Sequence, residues 1–93
     1  MEEGVIYHDE DNQKFFIKID GEESLINYRK EEGQILDLYY TYVPEDFRDQ
    51  GIASKLVETA LEFAKDQNYK VKPTCPFVAS YIKAHDEYMN LVE

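Results

Sequence analysis

The sequence predicts an α+β fold, a mixed α/β layer in which a mostly antiparallel sheet carries a central helix and a C-terminal helical segment. Three observations predict it. Short β-rich runs fill the first half, separated by turn signals at Asp9-Glu10-Asp11-Asn12, Asp20-Gly21 and Glu31-Glu32-Gly33. A single amphipathic helical stripe follows. The second half closes with one more short β-rich run and a further helical stretch. Strands gathered ahead of helices give an α+β layer.

Each element has its own signal. Residues 5–8 form a first strand, and the polar run from Asp9 to Asn12 breaks it. Residues 14–19 form a second, with Phe15, Ile17 and Ile19 on one face. Asp20-Gly21 marks a hairpin turn. Residues 24–30 alternate as a third strand with Ile26 and Tyr28 on one side. Residues 34–43 make the longest strand, with Leu36, Leu38, Tyr40 and Tyr42 on one face and Ile35, Tyr39 and Val43 on the other. Apolar residues on both faces predict a central position, and Pro44, lacking an N–H, ends the ladder. Ala53, Leu56, Val57, Ala60, Leu61 and Ala64 then recur at helical spacing, with Lys55, Glu58, Glu62 and Lys65 off the stripe. That helix runs to about Asn68. Residues 70–72 form a short strand, and residues 77–83 begin a helical segment that continues, with a break, towards Leu91.

At 93 residues the chain has the size of one domain, spanning 1–93. No apolar run approaches the about 18 residues that cross a bilayer, and a single cysteine, Cys75, makes no intramolecular disulfide. Both features predict a cytoplasmic protein away from membranes. Ten basic residues against twenty acidic give a formal charge of −10. Nucleic acid would meet repulsion, so none is expected as a partner, and the eight tyrosines read as sheet packing in place of base stacking. No metal site is expected. His8 and the acidic run from Asp9 look superficially metal-like, but Lys14 stands where a calcium loop needs glycine.

The chemistry concentrates in Val43 to Val57, reading VPEDFRDQGIASKLV. A strand stops there in a glycine-containing turn that opens directly into a helix. Free N–H groups in such a turn and first helical turn, with the helix dipole behind them, suit an anionic ligand. Within the stretch, Arg48-x-x-Gly51-x-Ala53 resembles the (Q/R)-x-x-G-x-(G/A) motif of the GNAT superfamily of N-acetyltransferases, which grips the pyrophosphate of acetyl-CoA. The resemblance implies that amides from Asp49 through Gln50, Gly51, Ile52 and Ala53 to Ser54 bind the pyrophosphate and that Arg48 opens the loop. Arg48 also reads as a solvated surface cation. Glycine at 51 lets a phosphate approach the backbone. The resemblance further implies that Tyr42 and Val43, at a splayed strand end, pair with the pantetheine arm and polarise the thioester carbonyl.

A second block, Lys70-Val71-x-Pro73-x-Cys75-Pro76-Phe77-Val78-x-x-Tyr81-Ile82, resembles a subgroup of very small GNAT-like proteins. In that subgroup the cysteine is a proposed active-site residue. Cys75 can accept acetyl as a thiolate or pack as a small hydrophobe. Direct attack by the acceptor amine on acetyl-CoA is the default route of the superfamily, and it requires an amine of pKa near ~10.4 to lose a proton first. Glu45, Asp37 and His85 are candidate acceptors of that proton; His85 also reads as a surface or structural residue. Tyr81 can protonate the departing thiolate, as the resemblance implies, or serve in aromatic packing.

The resemblance implies a reduced GNAT fold: a four-strand antiparallel meander, a cofactor helix, and a last short strand parallel to the fourth and diverging from it around the cofactor. It implies transfer of acetyl from acetyl-CoA to a primary amine. Larger members carry extra N-terminal helices for the acceptor, for which this chain has no room, so an open site suited to a basic peptide or protein tail is expected. Two alternatives stand beside it: acyl-CoA binding without catalysis, and a protein-interaction module whose Gly51 turn only starts a helix.

Overall fold

A computed structural model describes residues 2–93. Among these residues one sheet holds five strands in the order β1 (Ile6–Asp9), β2 (Lys14–Ile19), β3 (Glu22–Glu31), β4 (Ile35–Tyr42) and β5 (Lys70–Lys72). The first four pair antiparallel as a meander, and β5 lies parallel to β4. Helix α1 (Ile52–Asp66) connects β4 to β5, and helix α2 (Pro76–Ala84) follows β5. The chain then breaks at His85 and continues as a 3₁₀ helix over Asp86–Leu91. This is the α+β arrangement with a parallel last strand that the sequence predicts.

The boundaries follow backbone pairing more than side-chain pattern. Strand β1 sits one residue later than expected, because Asp9 pairs with Lys14 even while its carboxylate receives the Asn12 turn. Strand β3 extends through Glu22, Glu23 and Glu31, whose backbones find partners regardless of their charged side chains. Strand β4 loses a residue at each end: Gln34 has a positive φ of 60° in the preceding turn, and Val43 leaves the ladder just before Pro44. Asp20 and Gly21, at φ 52° and 78°, give the doubly left-handed hairpin turn that matches strand twist. Helix α1 stops at Asp66 because Asn68 turns left-handed at φ 62°.

The core lies between one sheet face and the helices. Leu56, Val57, Ala60, Leu61 and Ala64 of α1 are fully buried against Phe15, Ile17, Ile26, Tyr28, Leu36, Leu38 and Val71. Removing each large aliphatic side chain from water is worth about 1.5–3 kcal/mol. At the far edge, Val92 bridges Val71 in parallel and the Glu93 N–H donates to the Val71 carbonyl at 3.0 Å. The end of the chain thus covers the free edge of β5.

One expectation about faces is corrected. Leu36 and Leu38 are completely buried, whereas Tyr40 and Tyr42, expected beside them, are 49% and 41% exposed. The pairing with β3 shifts between Asn27 and Tyr28, which oppose Tyr40 and Leu38 and leave Tyr39 without a partner. This β-bulge inserts one residue, so the alternation reverses beyond it. Thr41 and Val43 turn inward, and Val43 joins the core instead of sharing a face with Ile35 and Tyr39.

Candidate functional site

Strand β4 outruns its parallel neighbour. Partners in β5 extend only as far as Asp37 opposite Lys72. Two further bonds hold the junction: the Thr74 hydroxyl donates to the buried Asp37 carboxylate at 2.5 Å, and the Cys75 N–H donates to the Leu38 carbonyl at 3.0 Å. Pro76 then starts α2 and carries the chain away. Residues 40–42 therefore pair with a strand only on the β3 side, and the bulged Tyr39 pairs on neither. Their alternate backbone groups on the other side border open space.

The loop after β4 closes that space from above. Pro44 leads into a 3₁₀ turn over Glu45–Phe47, and Asp49 and Gly51 then adopt left-handed conformations at φ 65° and 79°. Gly51 is the N-cap of α1, and no side chain caps this end. The first turn of α1 contains no acidic residue either, so its leading N–H groups and the positive end of its dipole stay unneutralised. Arg48 folds back so that its Nε donates to the Val43 carbonyl at 3.0 Å, tying the loop to the strand end and placing a cation at the wall.

Between these parts lies a cavity of about 480 Å³. Its strand wall is Thr41, Tyr42 and Val43; its loop wall is Phe47, Arg48 and Asp49; Gly51 to Ser54 and Phe77 complete it. Of the residues singled out in the sequence, Tyr42, Val43, Arg48, Asp49, Gly51, Ile52, Ala53 and Ser54 meet here. Gln50 does not: its side-chain amide turns to the Asp46 carbonyl at 3.3 Å. A Cβ on Gly51 would meet no atom within 4 Å, so the backbone conformation, not crowding, calls for glycine in this state. Cys75 is 8% exposed and does not line the cavity; its Sγ lies 3.5 Å from Oγ1 of Thr41 in the cavity wall.

Tyr81 and His85 are not in the cavity wall. They stack on each other at 3.9 Å at the far end of α2, with His85 Nδ1 2.8 Å from the Tyr81 carbonyl. Burial, reinforced by Glu58, Glu87 and Glu62, raises the Tyr81 phenol above its ordinary range. Glu45 is exposed on the 3₁₀ turn, and Asp37 is occupied with Thr74. Thr41, Phe47 and Phe77 line the cavity without having been named as site residues from the sequence. Thr41 turns inward only because of the bulge, a feature that leaves no mark in the hydrophobic pattern; Phe77 carried a signal in its position two residues beyond Cys75.

The group implied by the sequence fits these residues. An uncapped helix start, a left-handed glycine and a cation suit a pyrophosphate, while the apolar side chains of Val43, Phe47, Ile52 and Phe77 suit a slender apolar arm. Asp49, in the loop wall, would oppose an anion bound there. Among the described residues no three His, Cys, Asp or Glu side chains converge as a metal site would require.

Comparison with known proteins agrees with the fold. A solution structure of a GCN5-like protein from Staphylococcus aureus superposes with a TM-score of 0.79 at 24% identity, covering 100% of this chain and 91% of that one. Protein NATD1 of Mus musculus is 30% identical over 80 residues, which are 84% of this chain and 73% of that protein. The Danio rerio NATD1 is 26% identical over 91 residues, 94% of this chain and 83% of that protein. Residues 14–91 match the family model described as GCN5-related N-acetyl-transferase. With a match across most of its length and the fold to go with it, this chain belongs to the GCN5-related N-acetyl-transferase family.

Proposed function

We propose that this protein binds acetyl-CoA in the cavity beneath the α1 N-terminus and catalyses N-acetylation of a primary amine, including an amine on a basic polypeptide. The observation that carries this reading is the uncapped, acid-free start of a 15-residue helix, opening onto a cavity walled by the unpaired edge of β4. Bound acetyl-CoA would supply the activated acetyl group. The N–H groups of the loop and of residues 51–54 would hold phosphate oxygens, and Arg48 would add positive charge. Backbone groups of Tyr42 and Val43 would orient the arm. Direct transfer to the amine is favoured over an acetyl-cysteine, because Cys75 lies behind Thr41.

An amide NMR titration with acetyl-CoA tests the binding. Saturable shifts centred on Tyr42, Val43 and residues 49–54 support it, and their absence at millimolar ligand defeats it.

One observation favours a second reading, acyl-CoA binding without catalysis. The titratable residues lining the cavity are Tyr42, Arg48 and Asp49, while Tyr81 and His85 lie elsewhere. Release of free CoA thiol in the presence of amines, above the rate without protein, separates the two. Saturable binding with no release across polyamines and lysine peptides leaves the binder.

A further inference from the structure

Helices α1 and α2 share their core with one face of the sheet, and the molecule is only 18 Å through its thinnest axis. That depth holds one sheet and one helical layer, so the opposite sheet face is open. Strand alternation places Tyr7, Phe16, Leu25 and Tyr42 there as paired neighbours from β1 to β4, with Phe16 itself only 7% exposed under the Tyr7 ring and the Lys14 ammonium, and Tyr7, Leu25 and Tyr42 the accessible members. The Tyr7 and Phe16 rings stack at 5.8 Å, and Tyr40 adds a second exposed ring beside Tyr42.

Charge on this face departs from the rest of the molecule. It carries Lys14, Lys18, Arg29, Lys70 and Lys72. Against them stand Asp9, Glu23, Glu31 and Asp37. The chain has ten cations and twenty carboxylates, so five cations and sixteen carboxylates remain elsewhere. The face is therefore nearly neutral, and the remaining surface bears the whole of the net negative charge. Two copies meeting through any other side oppose strongly acidic surfaces; meeting here they do not.

We infer that the open sheet face is a self-association surface, joining two copies of this chain about a two-fold axis. The apolar row supplies the contact. Lys14 and Glu23, 2.6 Å apart, put both signs side by side on each copy, so opposite charges can meet across an isologous interface. Five strands at ~4.8 Å spacing and ~20 Å length offer roughly 500 Å² per copy. The total of about 1,000 Å² is at the low end for specific association, so the dimer is weak. Tyr42 belongs both to this row and to the cavity wall, so the contact reaches the cavity mouth. None of this depends on which ligand the cavity takes.

Sedimentation equilibrium from about 10 μM to about 1 mM tests it, at about 0.02 M and about 0.5 M NaCl. The expected result is a reversible monomer–dimer equilibrium that tightens with salt, as the long-range repulsion of two −10 molecules is screened. Lys18→Glu and Tyr40→Ser, both at exposed positions, should each weaken it about tenfold or more. Lys65→Glu on α1 changes net charge by the same amount as Lys18→Glu but lies off the face, and should change it less than about threefold. Amide spectra of each variant verify the fold, and dilution shifts should map to β1 through β4. A monomer throughout this range overturns the inference. So does equal weakening by Lys65→Glu, a dimer whose shifts lie elsewhere, or capture of acidic polypeptides by a chain that does not self-associate.

Discussion

Gly51 and Asp49 hold the loop in shape by backbone conformation, and each makes a distinct prediction. Gly51 sits at φ 79° with free space around its Cα. Gly51→Ala should therefore cost about 1–2 kcal/mol through the left-handed penalty alone, read as a lower urea midpoint with unchanged slope. Unchanged stability would mean that the turn relaxes without strain. Asp49 is also left-handed, at φ 65°, but Asn tolerates that region at least as well. Asp49→Asn should leave stability within about 0.5 kcal/mol while removing a carboxylate that faces the proposed pyrophosphate. Calorimetry should show acetyl-CoA binding about two- to fivefold tighter; weaker binding would place the carboxylate outside the ligand's field. Cys75 decides the route of transfer. Because its thiol is buried behind Thr41, Cys75→Ser should leave turnover within about threefold apart from a modest stability loss. Intact-mass analysis of the native protein with acetyl-CoA should find no acetyl adduct.

At the scale of elements, β1 is fastened to the core through a histidine. His8 stacks on Phe15 at 4.1 Å, meets the edge of Phe63 at 4.7 Å and shares a 2.6 Å hydrogen bond with the Tyr28 hydroxyl. Burial lowers the His8 pKa below its ordinary 6.5, with Lys30 acting the same way and Glu10 and Asp9 opposing; burial also pushes Tyr28 up to about 12. A lowered imidazole pKa means that the unfolded chain takes up the proton more readily. The stabilisation is thus present above pH 6.5 and is lost as pH falls through the folded-state value. Thermal unfolding should occur at lower temperature near pH ~5.5 than at pH ~7, and His8→Gln should flatten the difference. An equal slope in the variant would assign it to carboxylates.

The elements were legible because alternation in β2 and β3 and the α1 stripe describe independent, locally regular faces. The loop was legible because glycine, a nearby arginine and a helix start are local features. The bulge was not. Hydrophobic alternation in 34–43 continues unbroken, and only pairing with β3 shows that Tyr39 is the extra residue that turns Tyr40 and Tyr42 outward and Thr41 inward. Tyr81 and His85 stand apart from the cavity for a reason of geometry: their residue types suit proton transfer, but the helix carries them more than one turn beyond Phe77, outside the cavity wall.

At the scale of the whole molecule, twenty carboxylates face ten cations. Only two side-chain ion pairs form among the described residues, the half-buried Lys14–Glu23 at 2.6 Å and the more exposed Lys72–Glu31 at 3.7 Å. Each is worth up to about 1 kcal/mol and weakens as salt is added. The uncompensated carboxylates act in the other direction. They repel one another most in the compact state, so screening them favours folding. The two pairs hold four of the thirty charges, so repulsion should dominate the response. Raising NaCl from about 0.02 to about 0.5 M should lift the unfolding temperature by several degrees. The measurement belongs at low micromolar protein, where a weak dimer dissociates and adds nothing by mass action. Lys65→Glu, which deepens the imbalance without touching either pair, should lower the low-salt value and steepen the rise. A temperature that falls with salt would instead show that the two local pairs outweigh the global field.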